Sequence, residues 1–254
     1  MTRQIKVSAV SYLNSAPFVY GLQQWVMQGD IDLSLDYPAE CARKLQSGEV
    51  DLGLIPVAVI PDISNYQILS DYCIGAEGPV RSVVLLSNSP LDKIDQIYLD
   101  YQSRTSAMLA KVLAQKLWKI RVNWLPLLPK HPANAFEKGD GIVVIGDKVF
   151  DYENRFKYSY DLATEWRQLT SLPFVFAAWT ANKQLPNDFI KGFNNALTQG
   201  IESIPLAVNF FAPKNISGFE AERYLKENIS YRLTDQKREA LRLFWTFGRE
   251  IKPG

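Results

Sequence analysis

Residues 97–118 read IYLDYQSRTSAMLAKVLAQKLW, and the interpretation of the whole chain starts from this stretch. The apolar run at 97–99 is typical of a buried strand, and apolar residues then recur at helical spacing to the end of the stretch. Ser103 or Thr105 is expected to cap that helix, so that the first free backbone N–H groups face outward. A helix start carries partial positive charge and unpaired donors, which favour anions. The junction therefore predicts either an ordinary helix cap or an anion site.

Length and composition limit the class of protein. The 254 residues are 47% hydrophobic, which is enough for one large core or two ordinary ones. With 28 basic and 27 acidic side chains there is no net field to attract nucleic acid or an anionic membrane, so anion recognition must be local. No apolar segment is long enough to span a membrane, and the N-terminus runs into a strand without the apolar core of a signal peptide. We therefore expect a cytoplasmic globular protein with neither nucleic acid nor membrane as a partner.

Cysteine and histidine are too few for the common metal and nucleophile sites. Cys41 and Cys73 are isolated, which favours buried thiols over a disulfide framework. His131 cannot by itself complete a Ser–His–Asp or zinc arrangement, so we interpret it as a surface loop residue. No glycine-rich dinucleotide loop follows Val10 or Leu99. The sequence therefore predicts no metal and no cofactor.

Strand and helix patterns alternate in the first part of the chain. They follow one another at residues 5–10, 18–27, 31–37, 39–46 and 52–55. Such alternation indicates parallel β–α–β packing, in which ligands lie beyond the carboxyl ends of the strands. The loop from Ser11 to Asn14 occupies one such end and is a second candidate ligand loop.

A second β–α series begins after residue 88. Its patterns lie at residues 97–99, 103–118, 122–125, 133–137 and 142–145. A strand at 173–179 then carries the chain back, and helical patterns follow at 188–203, 220–226 and 234–249. We therefore predict two α/β lobes joined by two crossovers, with a ligand cleft between them that can close by hinge motion. The expected boundaries are 1–87 plus 175–254 for the first lobe and 88–174 for the second.

Six short motifs stand at the predicted strand ends and crossovers. They are Tyr12-Leu13-Asn14 with Pro17, Gly78 to Ser82, Ser103 to Ser106, Ile145-Gly146-Asp147, Asp161-Leu162 followed by Glu165-Trp166, and Leu172 to Ala177. In this order they resemble the chorismate dehydratase family of the futalosine route to menaquinone. Ala163, where that pattern has glycine, is a modest departure. The fold that the resemblance implies is α/β, two-lobed and similar to type II periplasmic-binding proteins.

The resemblance implies a carbon–oxygen lyase, a hydro-lyase that converts chorismate to 3-[(1-carboxyvinyl)oxy]benzoate and water without metal or organic cofactor. Chorismate carries two carboxylates, so its site needs two donor clusters, one at Ser103 to Ser106 and one at Arg81 with Ser82. Which cluster holds which carboxylate is open. The full set of candidate substrate-binding residues is Ser11, Tyr12, Arg81, Ser82, Ser103, Arg104, Thr105, Ser106 and Gly146.

Asn14 and Asp147 are the candidate catalytic residues. Asn14 is expected beside the reacting ring, although a neutral amide is a very weak base. The matched loops contain no histidine, glutamate or lysine, so the proton acceptor is either Asp147 or a carboxylate of the substrate. Each candidate also has an ordinary structural role to weigh: helix capping for Asp147, packing for Tyr12 and a surface ion pair for Arg81.

Other functions remain open for a chain of this pattern. A solute-binding protein shares the fold but normally has an export signal. The enzyme that makes 1,4-dihydroxy-6-naphthoate shares fold and pathway, but its opening loop differs from Tyr12-Leu13-Asn14-Ser15. A ligand-sensing domain of a regulator would bind a partner in place of chemistry, and no DNA-binding helix pair precedes Ile5.

Overall fold

Two β-sheets with helices packed around them make up the computed structural model, which describes residues 4–26, 29, 31–100, 103–127, 136–152, 155–214 and 216–251. The strands are β1 (Ile5–Val10), β2 (Ile31–Asp36), β3 (Leu52–Pro56), β4 (Gln67–Ala76), β5 (Val83–Ser87), β6 (Gln96–Asp100), β7 (Asn123–Leu127), β8 (Asp140–Ile145), β9 (Tyr158–Asp161), β10 (Phe174–Ala181) and β11 (Ser230–Arg232). His131 and most of the helix expected at 133–137 lie outside the described residues.

The helices flank both sheets. They are α1 (Ala16–Val26), α2 (Pro38–Gln46), α3 (Arg104–Leu113), α4 (Lys148–Tyr152), α5 (Leu162–Thr170), α6 (Asn187–Glu202), α7 (Ile204–Phe211), α8 (Gly218–Glu227) and α9 (Asp235–Glu250). Short 3₁₀ segments lie at Leu13–Ser15, Val57–Asp62 and Leu91–Lys93, and a π-helical turn, Ala114–Trp118, extends α3. Among the described residues, no helix combines the length and the apolar character that crossing a membrane requires.

The first sheet is built from both ends of the chain, in the order β11-β4-β10-β3-β1-β2. Strand β1 pairs in parallel with β2 and β3, which confirms the β–α–β packing predicted for the N-terminal part. Strand β10 returns between β3 and β4 and is antiparallel to both. This sheet and its helices form the first lobe.

The second sheet has the order β7-β6-β8-β5-β9 and forms the second lobe. Strand β6 is parallel to β7 and β8, whereas β5 is antiparallel to β8 and β9. The expected boundary at residue 88 is therefore wrong for β5, which belongs to the second sheet. Residues 77–82 and 171–173 make the two crossovers. The apolar pattern missed this because β4 and β5 look alike while they belong to different sheets.

The first lobe is held together around β10, whose eight residues are all buried. The Trp179 ring lies 5.9 Å from that of Phe18 on α1 and 4.9 Å from that of Phe193 on α6, measured between centroids. Cys41 and Cys73 are buried free thiols, as predicted. Burial raises the pKa of Cys41 to about 12 and that of Cys73 to about 11, so both stay protonated at neutral pH.

Helices α1 and α6 touch through their backbones. A Cβ added to Gly21 would lie 1.9 Å from the carbonyl oxygen of Ala196, and one added to Gly200 would lie 1.9 Å from that of Pro17. Only glycine permits so close an approach. Because α1 follows directly on the 3₁₀ segment at Leu13–Ser15, this contact gives that segment a rigid support.

Candidate functional site

A cavity lies between the lobes, beyond the carboxyl ends of β1 and β8 and beside the start of α3. Its walls are mostly apolar, and its polar lining comes from Tyr12, Asn14, Ser103, Thr105 and Ser106. We call it the interlobe cavity. Its volume, about 50 Å³, is small against the roughly 300–1,000 Å³ of typical small-molecule sites. In this conformation the interlobe cavity is too small for a ligand with a six-membered ring.

Asn14 presents its side chain to this cavity from the 3₁₀ segment Leu13–Ser15, which we call the Asn14 turn. The Ser15 hydroxyl donates to the carbonyls of Val10 and Tyr12, and the Tyr231 hydroxyl donates to the Asn14 carbonyl at 3.1 Å. The amide oxygen Oδ1 of Asn14 is buried and has no hydrogen-bond partner among the described residues. A buried polar atom without a partner is costly, so Oδ1 is placed to receive a donor from a ligand.

The start of α3 places hydroxyl groups on the opposite wall of the interlobe cavity. Ser103 is the N-cap, because its Oγ accepts from the Ser106 N–H at 3.1 Å; the same Oγ donates to Ser106 Oγ at 2.7 Å. Thr105 Oγ1 accepts from the Ala58 N–H at 3.2 Å and donates to the Phe176 carbonyl at 3.1 Å, both in the first lobe. Ser106 can donate its own hydroxyl hydrogen into the cavity. The residues at the capped start of α3 therefore also line the interlobe cavity.

Arg104 does not belong to the cavity. It is the first helical residue of α3, its side chain is exposed, and it is absent from the lining. Side chains project radially from a helix, so Arg104 faces solvent although its neighbours Ser103 and Thr105 line the cavity. The expected two-pronged contact from Arg104 to an anion is not supported by this placement.

Arg81 and Ser82 also lie outside the cavity lining, although Val80 and Val83 belong to it. The Ser82 N–H donates to the Val80 carbonyl at 2.7 Å, which closes a three-residue turn with Arg81 at φ +63°. This left-handed turn directs Arg81 to a separate cavity of about 520 Å³, with its guanidinium 5.4 Å from the Phe150 ring centroid. The second donor cluster expected at Arg81 and Ser82 therefore lies outside the lining of the interlobe cavity, and its role toward a substrate stays a prediction.

Of the candidates Gly146 and Ser11, Gly146 lines the interlobe cavity and Ser11 does not. Gly146 lines the cavity at φ +64°, and a Cβ there would lie 3.1 Å from the Tyr12 ring, so glycine is needed for the lobes to meet. The Gly146 N–H donates to the Ser82 carbonyl at 2.8 Å. Ser11 is only partly buried, donates its N–H to the Asp36 carbonyl and is not part of the lining.

Asp147 joins the two lobes. Its carboxylate oxygens accept from the Leu13 N–H at 3.0 and 3.2 Å. Burial raises the pKa of Asp147 to about 6; the hydrogen bond from Leu13 opposes that rise, and the charge of Asp151 adds to it. The side chain does not line the cavity. Asp147 instead contacts the Asn14 turn through the Leu13 N–H.

Two tyrosines near the C-terminus support the site, and sequence reasoning missed both. Tyr224 on α8 is buried and donates its hydroxyl to Ser82 Oγ at 2.6 Å. Tyr231 on β11 donates to the Asn14 carbonyl. These contacts link residues 142 and 217 positions apart. No local pattern marks them, because a buried tyrosine only needs some partner for its hydroxyl.

The Tyr224 contact predicts a measurable change in stability. Tyr224→Phe removes the donor to Ser82 and leaves a buried hydroxyl with one partner fewer, so the free energy of unfolding is expected to fall by about 1–2 kcal/mol. Denaturant unfolding measures it. Tyr66→Phe is the control, because Tyr66 is exposed and packs its ring edge-on against Trp245. Equal stability of the Tyr224 variant and the wild type would contradict the assigned contact.

One family model and two relatives are similar to this chain over most of its length. A family model described as menaquinone biosynthesis matches residues 5–250. The chorismate dehydratase of Thermus thermophilus is 27% identical over 233 residues, which cover 82% of this chain and 83% of the relative. That of Campylobacter jejuni is 26% identical over 244 residues, covering 92% and 93%.

Solved structures agree on the architecture. Protein AF1704 of Archaeoglobus fulgidus superimposes with a TM-score of 0.78 at 15% identity, covering 98% of each chain. The Candida albicans CA3427 gene product, described as having the generic periplasmic-binding-protein fold, gives 0.67 at 17% identity and covers 96% of this chain and 90% of its own. The predicted two-lobed fold of periplasmic-binding-protein type is confirmed. Since the family model extends over nearly the whole described structure, the chain belongs to the menaquinone biosynthesis family.

Proposed function

We propose that this chain is a chorismate dehydratase, a hydro-lyase that converts chorismate to 3-[(1-carboxyvinyl)oxy]benzoate and water. The observation that carries the proposal is the Asn14 amide, buried at the wall of the interlobe cavity with its oxygen unpartnered among the described residues. The named relatives and the family match support the choice of substrate. The cytoplasmic location expected from the sequence remains part of the proposal.

The start of α3 is suited to one carboxylate of chorismate. Ser103, Thr105 and Ser106 line the cavity at the start of α3, and the helix dipole favours negative charge there. The polar lining described above contains no lysine or arginine. Neutral donors therefore hold the anion, and they lower the basicity of a substrate carboxylate less than a cationic partner would.

The reaction removes the hydrogen on the ring carbon that bears the ether and the hydroxyl on the neighbouring carbon. The carbon–hydrogen pair of electrons becomes the new ring double bond, the hydroxyl leaves with the electrons of its carbon–oxygen bond, and the product ring is aromatic. Asn14 offers an acceptor oxygen and an NH₂ donor on one amide, so it can hold the substrate hydroxyl and stabilise the departing hydroxide. The proton and hydroxide together make the water released.

The proton acceptor in this account is a carboxylate of the substrate. The lining of the interlobe cavity has no carboxylate, imidazole or amine of the described chain. Asp147, the alternative, directs its oxygens to the Leu13 N–H outside the lining. A substrate carboxylate is already in the closed cleft, within reach of its own ring, and needs no further base.

The proposed elimination is redox-neutral and needs neither metal nor cofactor. The described residues contain no group of three or more His, Cys, Asp or Glu side chains placed to hold a metal ion. We therefore expect chelator-treated protein, without any additive, to convert chorismate at an unchanged rate. The absorbance of the aromatic product measures this rate. Loss of activity on chelation that returned with one divalent metal would contradict this part of the proposal.

Two other functions are outcomes of the same experiment. Tight chorismate binding without product would assign the chain to the solute-binding proteins that share its fold. Turnover of cyclic dehypoxanthinylfutalosine but not of chorismate would identify it as a 1,4-dihydroxy-6-naphthoate synthase. Supplying both substrates in parallel to one preparation separates the three functions.

A further inference from the structure

The hydrogen bond between Asp147 in the second lobe and Leu13 in the first lies next to Asn14, the residue proposed to hold the substrate hydroxyl. Asp147 follows β8 and Gly146, and both its oxygens accept from the Leu13 N–H in the first lobe. Leu13 is the first residue of the Asn14 turn and the direct neighbour of Asn14. The other contacts to the turn described above, from Ser15 and Tyr231, come from within the first lobe. Among the contacts described for this turn and its neighbour Tyr12, those of Asp147 and Gly146 come from the second lobe.

Closure must break and remake this bond. The interlobe cavity of about 50 Å³ has no room for chorismate, so the lobes separate for binding and meet again around the substrate. Separation removes the Asp147 oxygens from Leu13, since the two residues stand on different lobes. The Asn14 turn then loses the partner of its first N–H group.

From this geometry we propose that Asp147 is a positioning residue: its carboxyl fixes the Leu13 N–H, and through it the Asn14 amide, only when the lobes are closed. The inference rests on the proposed function for its consequence in catalysis. It assigns Asp147 a structural link to the reaction and makes alignment of Asn14 depend on closure. Asp147 need not take the proton.

The acid–base behaviour of Asp147 follows from the same burial. In the closed cleft burial raises its pKa to about 6, whereas a carboxyl exposed by opening returns towards its ordinary value of 3.8. Closure therefore takes up a proton, and it is favoured as pH falls through 6. Among the described residues, the charged or titratable groups that face Asp147 include Asp151 on α4 and Tyr224 on α8. Lys214, beyond α7, borders with Asp147 a further cavity of about 280 Å³.

The first test needs no substrate. In hydrogen exchange of the free protein, the Leu13 amide is expected to exchange at least about tenfold faster in Asp147→Ala than in wild type, because its acceptor is gone. Asp147→Asn keeps an acceptor oxygen and should retain protection. Asp151→Asn, an exposed carboxylate one turn further along α4, is the matched control and should exchange as wild type does. Equal Leu13 exchange in Asp147→Ala and wild type would overturn the proposal.

The second test uses turnover of chorismate. Asp147→Ala is expected to lose about 10- to 100-fold in kcat with little change in KM, the scale of a misplaced catalytic group. Asp147→Asn should recover activity to within about threefold of wild type, since a neutral amide still accepts the Leu13 hydrogen bond. If the Asn variant were as slow as the Ala variant, the carboxylate would be needed as a base and the positioning role would be wrong.

The third test separates protonation from packing. With 3-[(1-carboxyvinyl)oxy]benzoate as the binding probe, wild-type affinity should rise about fourfold from roughly pH 7.5 to 5.5, and affinity of Asp147→Asn should stay level. A rise of the same size in Asp147→Asn would contradict the assignment. If the wild type neither binds this probe nor converts chorismate, the proposed function fails, and exchange at Leu13 still decides the Asp147 contact. Should Asp147→Ala not fold, the Asn variant decides through activity and pH dependence.

Discussion

Asn14→Ala is expected to lower kcat for chorismate dehydration by about 10²- to 10³-fold, the usual cost of removing one preorganised group at a developing charge. The side chain lines the cavity with its amide oxygen unpartnered among the described residues, so this oxygen is available to the substrate. KM is expected to change by less than about threefold, because an interaction made mainly in the transition state affects kcat. Steady-state kinetics with chorismate measures both constants.

Asn123→Ala is the control for this result. Asn123 is exposed at the start of β7 and does not line the interlobe cavity, so the same substitution there should leave both constants unchanged. Wild-type kcat in Asn14→Ala would remove Asn14 from the chemistry. A rise in KM alone would reduce its role to binding.

Gly200→Ala is expected to lower the free energy of unfolding by about 3 kcal/mol, the upper end of the range for overpacking a tight contact. The new Cβ would lie 1.9 Å from the carbonyl oxygen of Pro17, so α1 and α6 would have to move apart. This loss outweighs the gain of about 1 kcal/mol that alanine normally brings to a helix interior. Chemical denaturation measures the change.

Gly218→Ala tests whether the effect is specific to the helix contact. Gly218 also lies in a helix, but a Cβ there would meet no atom closer than 4.0 Å. Stability should be unchanged or rise by up to about 1 kcal/mol. If Gly200→Ala were as stable as Gly218→Ala, the close approach of α1 and α6 would be wrong.

The elements that could be predicted were those with a local cause. Alternating patterns predicted the parallel packing of β1 with β2 and β3, because buried strands and amphipathic helices leave their period in the sequence. Ser103 was one of two expected caps, and the structure selects it through its bond to the Ser106 N–H. The cavity lies where these rules place ligands, beyond strand ends.

The parts that could not be predicted depend on long-range contacts or backbone strain. A left-handed conformation at Arg81 is unusual for a residue with a Cβ, so nothing in Gly78 to Ser82 indicated that the guanidinium would leave the cleft. The support that Tyr224 and Tyr231 give to the site arises only after folding brings the C-terminal part against it. The exposed side chain of Arg104 could not be foreseen, because a motif specifies residue type but not the direction of the side chain.

The central claim is that this protein removes water from chorismate and leaves the enolpyruvyl arm in place. Mass analysis of the product formed from chorismate by purified wild-type protein tests it most directly, with Asn14→Ala as the comparison. We expect one product that is lighter than chorismate by a single water and still carries the three-carbon arm, formed far more slowly by the variant. A product that has lost pyruvate, or unchanged chorismate after prolonged incubation with folded protein, would contradict it.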